Sequence, residues 1–430
     1  MTNLSTQPYK GTRDYYPEDK RIQNYIFSVW HKVSKSFGYE EYGAPMLEPL
    51  EVYAAKSGQE IVNEQTYSFT DRGDRVVAIR PEMTPTISRM VAARRQELAY
   101  PARLYSVANF MRYERPQRGR EREFWQLNVD IFGADGSNAE AEIIILSSYI
   151  MKEFGAKSAD YTIKINNRKL IDFTMKQYLG LDDGQAEAMI KLFDRKDKIS
   201  SQDFTDQAGE ILGDQAETGL SKINQLLSVA KIADLPAEIR DNSSVEEISQ
   251  MFKLLDQSGV DNYIFDITLM RGFDYYTGMV FEVNDNHPDN NRALFGGGRY
   301  DGLVGLFGAE PISAVGMAPG GTMMENFLAV HELLPKLRSL TNVYIAALGD
   351  TVAEANKIAS QLRAAGINAE LDFSGRKLDK QLKVAFKKEI PYVLFVGEEE
   401  VKTGVYALKD IINSNDFKLD FAGIVDQIKE

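Results

Sequence analysis

Arginines are crowded into the stretch RYERPQRGREREFWQ, which runs from Arg112 to Gln126. Five of them fall within eleven residues, at positions 112, 115, 118, 120 and 122. Pro116 and Gly119 indicate a loop at the centre of the stretch, between two strand-like arms. Arginine binds phosphate and carboxylate groups through paired hydrogen bonds, and an adjacent ring such as that of Phe124 can stack on a base. The stretch therefore favours a phosphate-bearing ligand, with a solvated hairpin tip as the alternative.

A carboxylate and a hydroxyl lie close together in the stretch AIRPEMTPT, at Glu82 and Thr84, where a strand gives way to a helix. Such a pair can hold an ammonium group. An ordinary helix start with an acidic residue in its first turn is the alternative interpretation.

Two further stretches combine glycine with reactive side chains. The first, RGFDYYTGMVFEV, begins with Arg271 and continues with an aspartate and two tyrosines before alternate residues form one face of a strand. The second, FGGGRYDGLV, carries successive glycines, which allow a ligand or another strand to approach the backbone closely. A buried Arg271–Asp274 ion pair and a tight turn are the respective structural alternatives.

The composition is that of a soluble globular protein, with 430 residues of which 43% are hydrophobic and 26% are charged. There is no cysteine, which excludes disulfides and cysteine-ligated zinc. Because His31, His287 and His331 are far apart in the sequence, we expect neither a histidine-based triad nor a multi-histidine metal site. The net charge of −13 gives no general attraction to nucleic acid, so an RNA partner would need a locally basic surface.

The elements that must position these residues divide the chain into two parts. Residues 1–330 combine helices with strand-like segments whose turns favour an antiparallel sheet, and a polar helical insertion is predicted at about 180–260. Residues 331–340 are predicted to form a linker. Over residues 341–430 strands and helices alternate as in a small α/β domain with a parallel sheet.

The second part contains one strongly basic stretch, RKLDKQLKVAFKK. Its helical spacing predicts one shared face for four basic residues, which are Arg376, Lys380, Lys383 and Lys387. Contact with RNA phosphates and an ordinary solvated face are both compatible with this pattern.

Together these stretches resemble the signature peptides of the histidyl-tRNA synthetase family, a family of class II aminoacyl-tRNA synthetases. RYERPQRGREREFWQ is similar to class II motif 2, while RGFDYYTGMVFE and FGGGRYDGLV are similar to the two peptides particular to this family. KGTRDYYPED resembles its N-terminal peptide. The resemblance implies an α+β catalytic domain over residues 1–330, with a mixed, mainly antiparallel sheet flanked by helices, and an α/β anticodon-binding domain over 341–430.

The activity implied by this resemblance is ATP-dependent formation of histidyl-adenylate from L-histidine, followed by transfer to the 3′ end of histidine tRNA. Because the histidine carboxylate is already ionised at pH 7, no enzymatic base is needed, and catalysis reduces to positioning and charge neutralisation. The resemblance also implies ATP and Mg²⁺ as cofactors, a cytoplasmic location, no membrane partner, and a homodimer in which residues 38–50 resemble the dimer-forming motif 1. No protein-ligated metal site is predicted.

Roles for individual residues follow from the resemblance by motif position. Catalysis is assigned to Arg112 and Arg271. Nucleotide binding is assigned to Arg112, Glu114, Arg122 and Phe124. Histidine binding is assigned to Glu82, Thr84, Gln126, Asp130, Tyr275 and Tyr276. The acceptor end of the tRNA is assigned to Arg115, Gln117 and Arg118, and its anticodon side to Arg376, Lys380, Lys383 and Lys387.

One position departs from the family pattern. Motif 3 normally ends in an arginine that clamps ATP, and Met323 stands where we align that arginine. A non-catalytic paralogue, such as the regulatory subunit of ATP phosphoribosyltransferase, is therefore the alternative to a synthetase, and a nucleic-acid-binding module without catalysis is a third. Histidine-dependent ATP–pyrophosphate exchange separates the three.

Overall fold

The computed structural model describes residues 4–54, 64–270, 275–290 and 292–429, apart from the side chain of Asp197. Arg271 and Asp274 lie outside the described residues. The chain forms two compact units, Met1–Leu334 and Pro335–Glu430. Within the described ranges, no helix is both long enough and apolar enough to cross a membrane.

The first unit combines strands and helices throughout its length. Its strands are β1 (Glu40–Glu41), β2 (Leu47–Pro49), β3 (Ser68–Thr70), β4 (Val76–Ile79), β5 (Ala102–Met111), β6 (Glu123–Phe132), β7 (Tyr161–Asn167), β8 (Tyr263–Phe265), β9 (Met279–Asp285), β10 (Ala293–Arg299) and β11 (Ala314–Met317). Its helices are α1 (Pro17–Ser36), α2 (Glu51–Ala54), α3 (Thr84–Ala93), α4 (Ser137–Glu153), α5 (Arg168–Phe173), α6 (Asp183–Asp194), α7 (Ser201–Leu212), α8 (Ala216–Leu227), α9 (Ala237–Arg240), α10 (Ser243–Gln257) and α11 (Gly321–Val330).

An eight-stranded sheet with the order β1-β5-β6-β11-β10-β9-β7-β8 is the centre of this unit. The outer pairs β1–β5 and β7–β8 are parallel. All the inner pairs are antiparallel. This arrangement confirms the mixed, mainly antiparallel sheet that was predicted. A separate three-stranded antiparallel sheet has the order β2-β4-β3.

Strand β6 divides the hydrophobic core from a polar face. Leu127 and Val129 are fully buried, and they belong to the core that also contains residues of α1 and α4. Successive side chains of a strand point to opposite faces of the sheet. Gln126, Asn128 and Asp130 therefore share the face that is turned away from those helices.

The segment predicted as a helical insertion contains α6 to α10 and is helical over most of its length. Amphipathic spacing explains its stability, because residues such as Met189, Leu192, Ile223 and Met251 are fully buried while the intervening positions are polar.

The second unit has a five-stranded sheet with the order β13-β12-β14-β15-β16. Its strands are β12 (Val343–Ala347), β13 (Ala369–Leu371), β14 (Tyr392–Val396), β15 (Tyr406–Asp410) and β16 (Asn415–Leu419), and its helices are α12 (Val352–Ala364), α13 (Leu378–Lys387), α14 (Glu398–Thr403) and α15 (Phe421–Lys429). Strands β13, β12 and β14 are parallel, as predicted. Strands β15 and β16, which the sequence did not predict, extend this sheet as an antiparallel hairpin.

Candidate active site

A cavity of about 240 Å³ lies on the polar face of β6 in the first unit. Four parts of the fold supply its polar lining: the junction of β4 and α3, the end of β5, strand β6, and the β9–β10 hairpin with the residues that flank it. The polar residues that line it are Glu82, Thr84, Arg112, Gln126, Asn128, Tyr275, Tyr276, Glu282 and Tyr300. The fold thus brings together polar side chains that are up to 218 positions apart in the sequence, from Glu82 to Tyr300.

A buried carboxylate occupies one wall of this cavity. The hydroxyl of Tyr275 donates a hydrogen bond to Glu82 Oε2 at 3.0 Å, and both side chains are almost fully buried. Burial, together with the charge of Glu82, raises the pKa of Tyr275 well above its ordinary value, so the phenol stays protonated and acts as a donor. Thr84 is the first residue of α3 and places its side chain on the same wall. A carboxylate and hydroxyls in this arrangement can bind an ammonium group.

A second carboxylate, that of Asp130, lies directly behind the lining. Tyr300 donates a hydrogen bond to Asp130 Oδ1, while Oδ2 has no hydrogen-bond partner among the described residues. Burial raises the pKa of the Asp130 carboxyl to about 7, against the lowering effect of the bond from Tyr300. A Cβ atom added to Gly316 would lie 2.2 Å from Oδ1, so glycine is required there for the carboxylate to fit. Asp130 is thus a buried acceptor behind Tyr300 and Gly316, which themselves line the cavity.

Tyr276 completes this side of the cavity. Its ring centroid lies 5.1 Å from that of Tyr275. Burial and the nearby charges of Glu82 and Asp130 raise the pKa of Tyr276 above its ordinary value, so its phenol remains a donor at neutral pH. A Cβ atom added to Gly298 would lie 2.8 Å from the Tyr276 ring, which explains one of the three successive glycines by close approach.

A second cavity, of about 250 Å³, adjoins the first. Arg112, Gln126 and Ala318 line both cavities. The second cavity is further lined by Glu114, Gly119, Arg120, Glu121, Phe124, Leu294, Phe295, Gly320, Gly321, Thr322 and Met323. Two ligand groups bound in the two cavities would therefore meet at the guanidinium of Arg112.

Arg112 is held in place by the backbone. Its Nε donates to the carbonyl oxygen of Pro81 at 2.8 Å, and its guanidinium carbon lies 5.3 Å from the centroid of the Phe124 ring. Glu114 Oε1 is 3.9 Å from the nearest Arg112 nitrogen. Phe124 itself stacks on Phe110, with centroids 5.7 Å apart. The cavity therefore offers both a cation and an aromatic ring to a nucleotide.

Arg122 does not line either cavity. Its Nη1 donates to the hydroxyl of Tyr9 at 3.1 Å, and its Nε donates to the carbonyl oxygen of Glu114 at 3.2 Å. The guanidinium carbon also lies 3.9 Å from the centroid of the Tyr113 ring. These contacts hold the Arg122 side chain against the N-terminal segment. It therefore lies outside the second cavity, although the family resemblance assigned it to nucleotide binding.

Two carboxylates in the second cavity offer oxygen ligands to a cation. Glu114 accepts a bond from Arg120 at 3.3 Å, and Glu121 accepts one from the hydroxyl of Thr322 at 3.2 Å. Burial raises the pKa of the Glu121 carboxyl. One or two carboxylates together with substrate phosphates are the usual ligands of Mg²⁺. Across the described ranges, no group of three or more acidic, histidine or cysteine residues could hold a metal by itself.

The tip of the arginine-rich loop lies outside both cavities except at Gly119 and Arg120. Arg115, Gln117 and Arg118 are exposed there. Backbone hydrogen bonds between Gln117 and Arg120, at 3.1 and 2.9 Å, close the tip into a tight turn.

The basic residues of the second unit are placed only partly as the helical spacing predicted. Lys380, Lys383 and Lys387 are exposed on α13. The prediction is wrong for Arg376, which precedes the helix. Its guanidinium instead bonds to Ser374 Oγ at 2.6 Å and to Asp372 Oδ2 at 3.2 Å.

Asn128 and Tyr300 were not among the residues assigned from the sequence, although both line the first cavity. Asn128 is buried, and its Nδ2 has no hydrogen-bond partner among the described residues. The alternation of Gln126, Asn128 and Asp130 along β6 was visible in the sequence and could have identified Asn128. Tyr300 carried no comparable signal, because its role depends on the long-range bond to Asp130.

The comparisons with known proteins agree with one another. A family profile described as "Histidyl-tRNA synthetase" matches residues 11–320, and one described as "Anticodon binding domain" matches residues 342–430. A histidine–tRNA ligase of Leptospira biflexa is 43% identical over 431 residues, covering 99% of this chain and 98% of that protein. A histidine–tRNA ligase of Halobacterium salinarum is 36% identical over 408 residues, covering 94% of this chain and 93% of that protein. A histidyl-tRNA synthetase structure from Nostoc sp. PCC 7120 has the same fold, with a TM-score of 0.84, 24% identity and 99% of each chain covered.

Proposed function

The chain belongs to the histidyl-tRNA synthetase family, and from this premise we propose that it activates L-histidine with ATP and transfers the histidyl group to the 3′ end of histidine tRNA. The observation that carries the proposal is the pair of adjoining cavities that share Arg112 and Gln126. In the first step the histidine carboxylate attacks the α-phosphorus, and pyrophosphate leaves. In the second step a hydroxyl of the terminal adenosine attacks the histidyl carbonyl carbon, and AMP leaves.

The first cavity is the proposed histidine pocket. Glu82, Thr84 and Gln126 hold the α-ammonium group, with Tyr275 fixing the Glu82 carboxylate. A neutral imidazole ring has one donor and one acceptor. Asp130 accepts from the ring N–H through its Oδ2 atom, and the phenol of Tyr276 donates to the other ring nitrogen.

The second cavity is the proposed nucleotide pocket. Arg112 neutralises the α-phosphate. Phe124, whose ring already stacks on that of Phe110, stacks on adenine. Glu114 and Glu121 would hold Mg²⁺, whose chemistry there is to neutralise phosphate charge. Arg271 is assigned to the reacting phosphate and carboxylate from the motif alone, since it lies outside the described residues. Arg122 would have to leave its contact with Tyr9 before it could bind an outer phosphate.

RNA binding is proposed at two surfaces. The exposed tip residues Arg115, Gln117 and Arg118 meet the acceptor end. In this family the tRNA is marked by an extra 5′ guanosine, and Gln117 is the residue proposed to read it. In the second unit, Lys380 and its exposed neighbours on α13 contact phosphates on the anticodon side. Residues 1–330 would thus be the catalytic domain and residues 341–430 the anticodon-binding domain, joined by a linker at 331–340.

We also propose a cytoplasmic homodimer. Exposed apolar side chains on or beside the small β2-β4-β3 sheet support a dimer, and they are Met46, Leu47, Phe69 and Val76. Burial of such a surface against a second copy would remove its apolar area from water.

Histidine-dependent ATP–pyrophosphate exchange tests the proposed activation step. The purified protein is expected to incorporate labelled pyrophosphate into ATP only when L-histidine is present, and then to charge histidine tRNA. The other amino acids provide the control. Absence of exchange in a folded protein would support a non-catalytic paralogue instead.

Met323 gives a further test of the nucleotide pocket. The Met323 side chain lines the second cavity and packs against the loop tip, where a Cβ atom added to Gly119 would lie 2.2 Å from Met323 Sδ. We expect Met323→Arg to tighten ATP binding by about tenfold, as for one added hydrogen bond to a charged group, or to lower the Mg²⁺ requirement. ATP affinity and melting temperature are measured together, with Met323→Gln as an uncharged control of similar length. Unchanged ATP affinity in a stable Met323→Arg protein would contradict the proposal that the outer phosphates of ATP bind beside Met323.

A further inference from the structure

The turn between β9 and β10 contacts the tip of the arginine-rich loop in both directions. Arg118 Nη1 donates to the carbonyl oxygen of Asp289 at 3.3 Å. Arg292 Nη1 donates in return to the carbonyl oxygen of Arg118 at 3.0 Å. The tip is therefore held at one residue through both its side chain and its backbone, by a segment more than 170 positions away in the sequence.

The turn that makes these contacts is organised around one buried carboxylate. Asp285 is 1% exposed and ends β9. Its Oδ1 accepts from the backbone N–H of His287 at 2.8 Å, and its Oδ2 accepts from Asn290 Nδ2 at 2.7 Å. Because a buried carboxylate with such partners is costly to disrupt, these bonds hold the turn in a defined conformation.

A histidine ties the same carboxylate to the end of α11. His331 directly follows that helix, and its Nε2 lies 2.8 Å from Asp285 Oδ1. The ring of His331 also lies 5.2 Å from that of His287 and 4.4 Å from that of Phe327, measured between centroids. The fold thus brings together two of the three histidines that are far apart in the sequence, and their contacts fix the turn to the body of the unit.

We propose that Asp285–Asn290 together with Arg292 form a platform that positions the tip of the arginine-rich loop for the RNA acceptor end, with Arg292 as a positioning residue. The inference rests on the proposed function for the role of the tip. A proline- and glycine-containing loop loses conformational entropy when it becomes ordered on binding. A loop that is already held in one position loses less, and binds its partner more tightly.

Limited proteolysis tests the platform without RNA. Trypsin can cleave the tip after Arg118 and Arg120, since Pro116 blocks cleavage after Arg115. Arg292→Ala is expected to raise the initial rate of cleavage at these two bonds by about fivefold, as for loss of one hydrogen bond. Arg292→Lys retains a donor and should restore slow cleavage. Arg94→Ala removes an equally positive, exposed side chain whose ion pair among the described residues is with Glu97, and serves as the matched control.

The two half-reactions give the functional measurement. We expect Arg292→Ala to lower kcat/KM for tRNA charging by about fivefold to tenfold, mainly through KM for the tRNA, while histidine-dependent pyrophosphate exchange stays within about twofold of the unmodified protein. The Arg292→Lys protein should regain most of the charging activity, and Arg94→Ala should alter neither reaction.

Three outcomes would overturn the platform. The first is unchanged cleavage and unchanged charging in Arg292→Ala. The second is weaker charging with unchanged cleavage, which would mean that Arg292 acts on the RNA directly. The third is an equal loss of charging and exchange, which would mean a general effect on the active site. If the unmodified protein shows no histidine-dependent exchange, the proposed function fails, and the cleavage rates alone still decide whether Arg292 holds the loop.

Discussion

Replacing Arg112 by alanine is expected to lower histidine-dependent pyrophosphate exchange by about 10²- to 10³-fold, as for the loss of one group that stabilises charge in a transition state. Arg112 lines both cavities, and its bond to the Pro81 carbonyl oxygen fixes the guanidinium between them. In the proposed binding mode, negative charge from the phosphate and the attacking carboxylate would accumulate at this place. Arg112→Lys should recover only part of the rate, because lysine keeps the charge but loses the planar fork.

Arg103 provides the matched control for this experiment. It lies near the opposite end of β5, where its guanidinium binds both oxygens of Glu142, and it lines neither cavity. Arg103→Ala should leave the exchange rate within about threefold while it lowers the melting temperature modestly, as for a partly exposed ion pair. Histidine affinity, measured by calorimetry without ATP, should change little in either variant. Exchange by Arg112→Ala within tenfold of the unmodified protein would contradict the proposed role.

Local patterns account for which residues of a single element share a face, whereas the roles of those residues were assigned by the resemblance to the family. The strand period places Gln126 and Asp130 on one face of β6, because Leu127 and Val129 must enter the core. The glycines before Tyr300 were also predictable as positions of close approach. For such features the physical cause lies within a few residues of the chain.

Features that depend on distant segments could not be predicted in this way. The contact of Arg122 with Tyr9 joins residues 113 positions apart, and it determines which way the guanidinium turns. The bond between Asp285 and His331 likewise requires β9 and the end of α11 to be neighbours. No local propensity encodes these pairings, which arise only when the core has assembled.

The carboxylate of Asp130 should make histidine binding depend on pH in a defined direction. Its pKa of about 7 means that the free enzyme holds a proton there below neutrality. Because Tyr300 already donates to Oδ1, a proton on Oδ2 would turn that oxygen into a donor and weaken its bond with the imidazole N–H. Above about pH 7 Asp130 is ionised, so its titration should no longer change the affinity for histidine. Below it the affinity should fall by up to about tenfold for each pH unit, with a further loss when the imidazole of histidine is itself protonated near about pH 6.5.

The Asp130 carboxyl should also make the free energy of unfolding depend on pH. Here the protonated form of Asp130 is the favourable one, whereas histidine binding favours the ionised form. Because the pKa of Asp130 is raised above its unfolded value of about 3.9, the folded state binds more protons between about pH 4 and pH 7. The free energy of unfolding is therefore lowered as the pH rises through this window, and the penalty persists at pH 8. Removing the charge should stabilise the protein at pH 8 even though it weakens histidine binding.

Asp130→Asn tests both consequences together. At pH 8 we expect histidine affinity, measured by calorimetry, to fall by about tenfold to a hundredfold, as for a buried polar group left poorly paired, while ATP affinity is unchanged and the melting temperature rises. Asp266→Asn is the matched control. Burial raises the pKa of Asp266, but hydrogen bonds from Thr268 and contact with Lys164 outweigh burial and hold the pKa below its usual value, so its replacement should lower the melting temperature at pH 8 and leave histidine affinity unchanged. Equal histidine affinity in Asp130→Asn and the unmodified protein would place Asp130 outside the recognition of the imidazole ring, because a carboxylate that accepts from the ligand cannot be neutralised without loss.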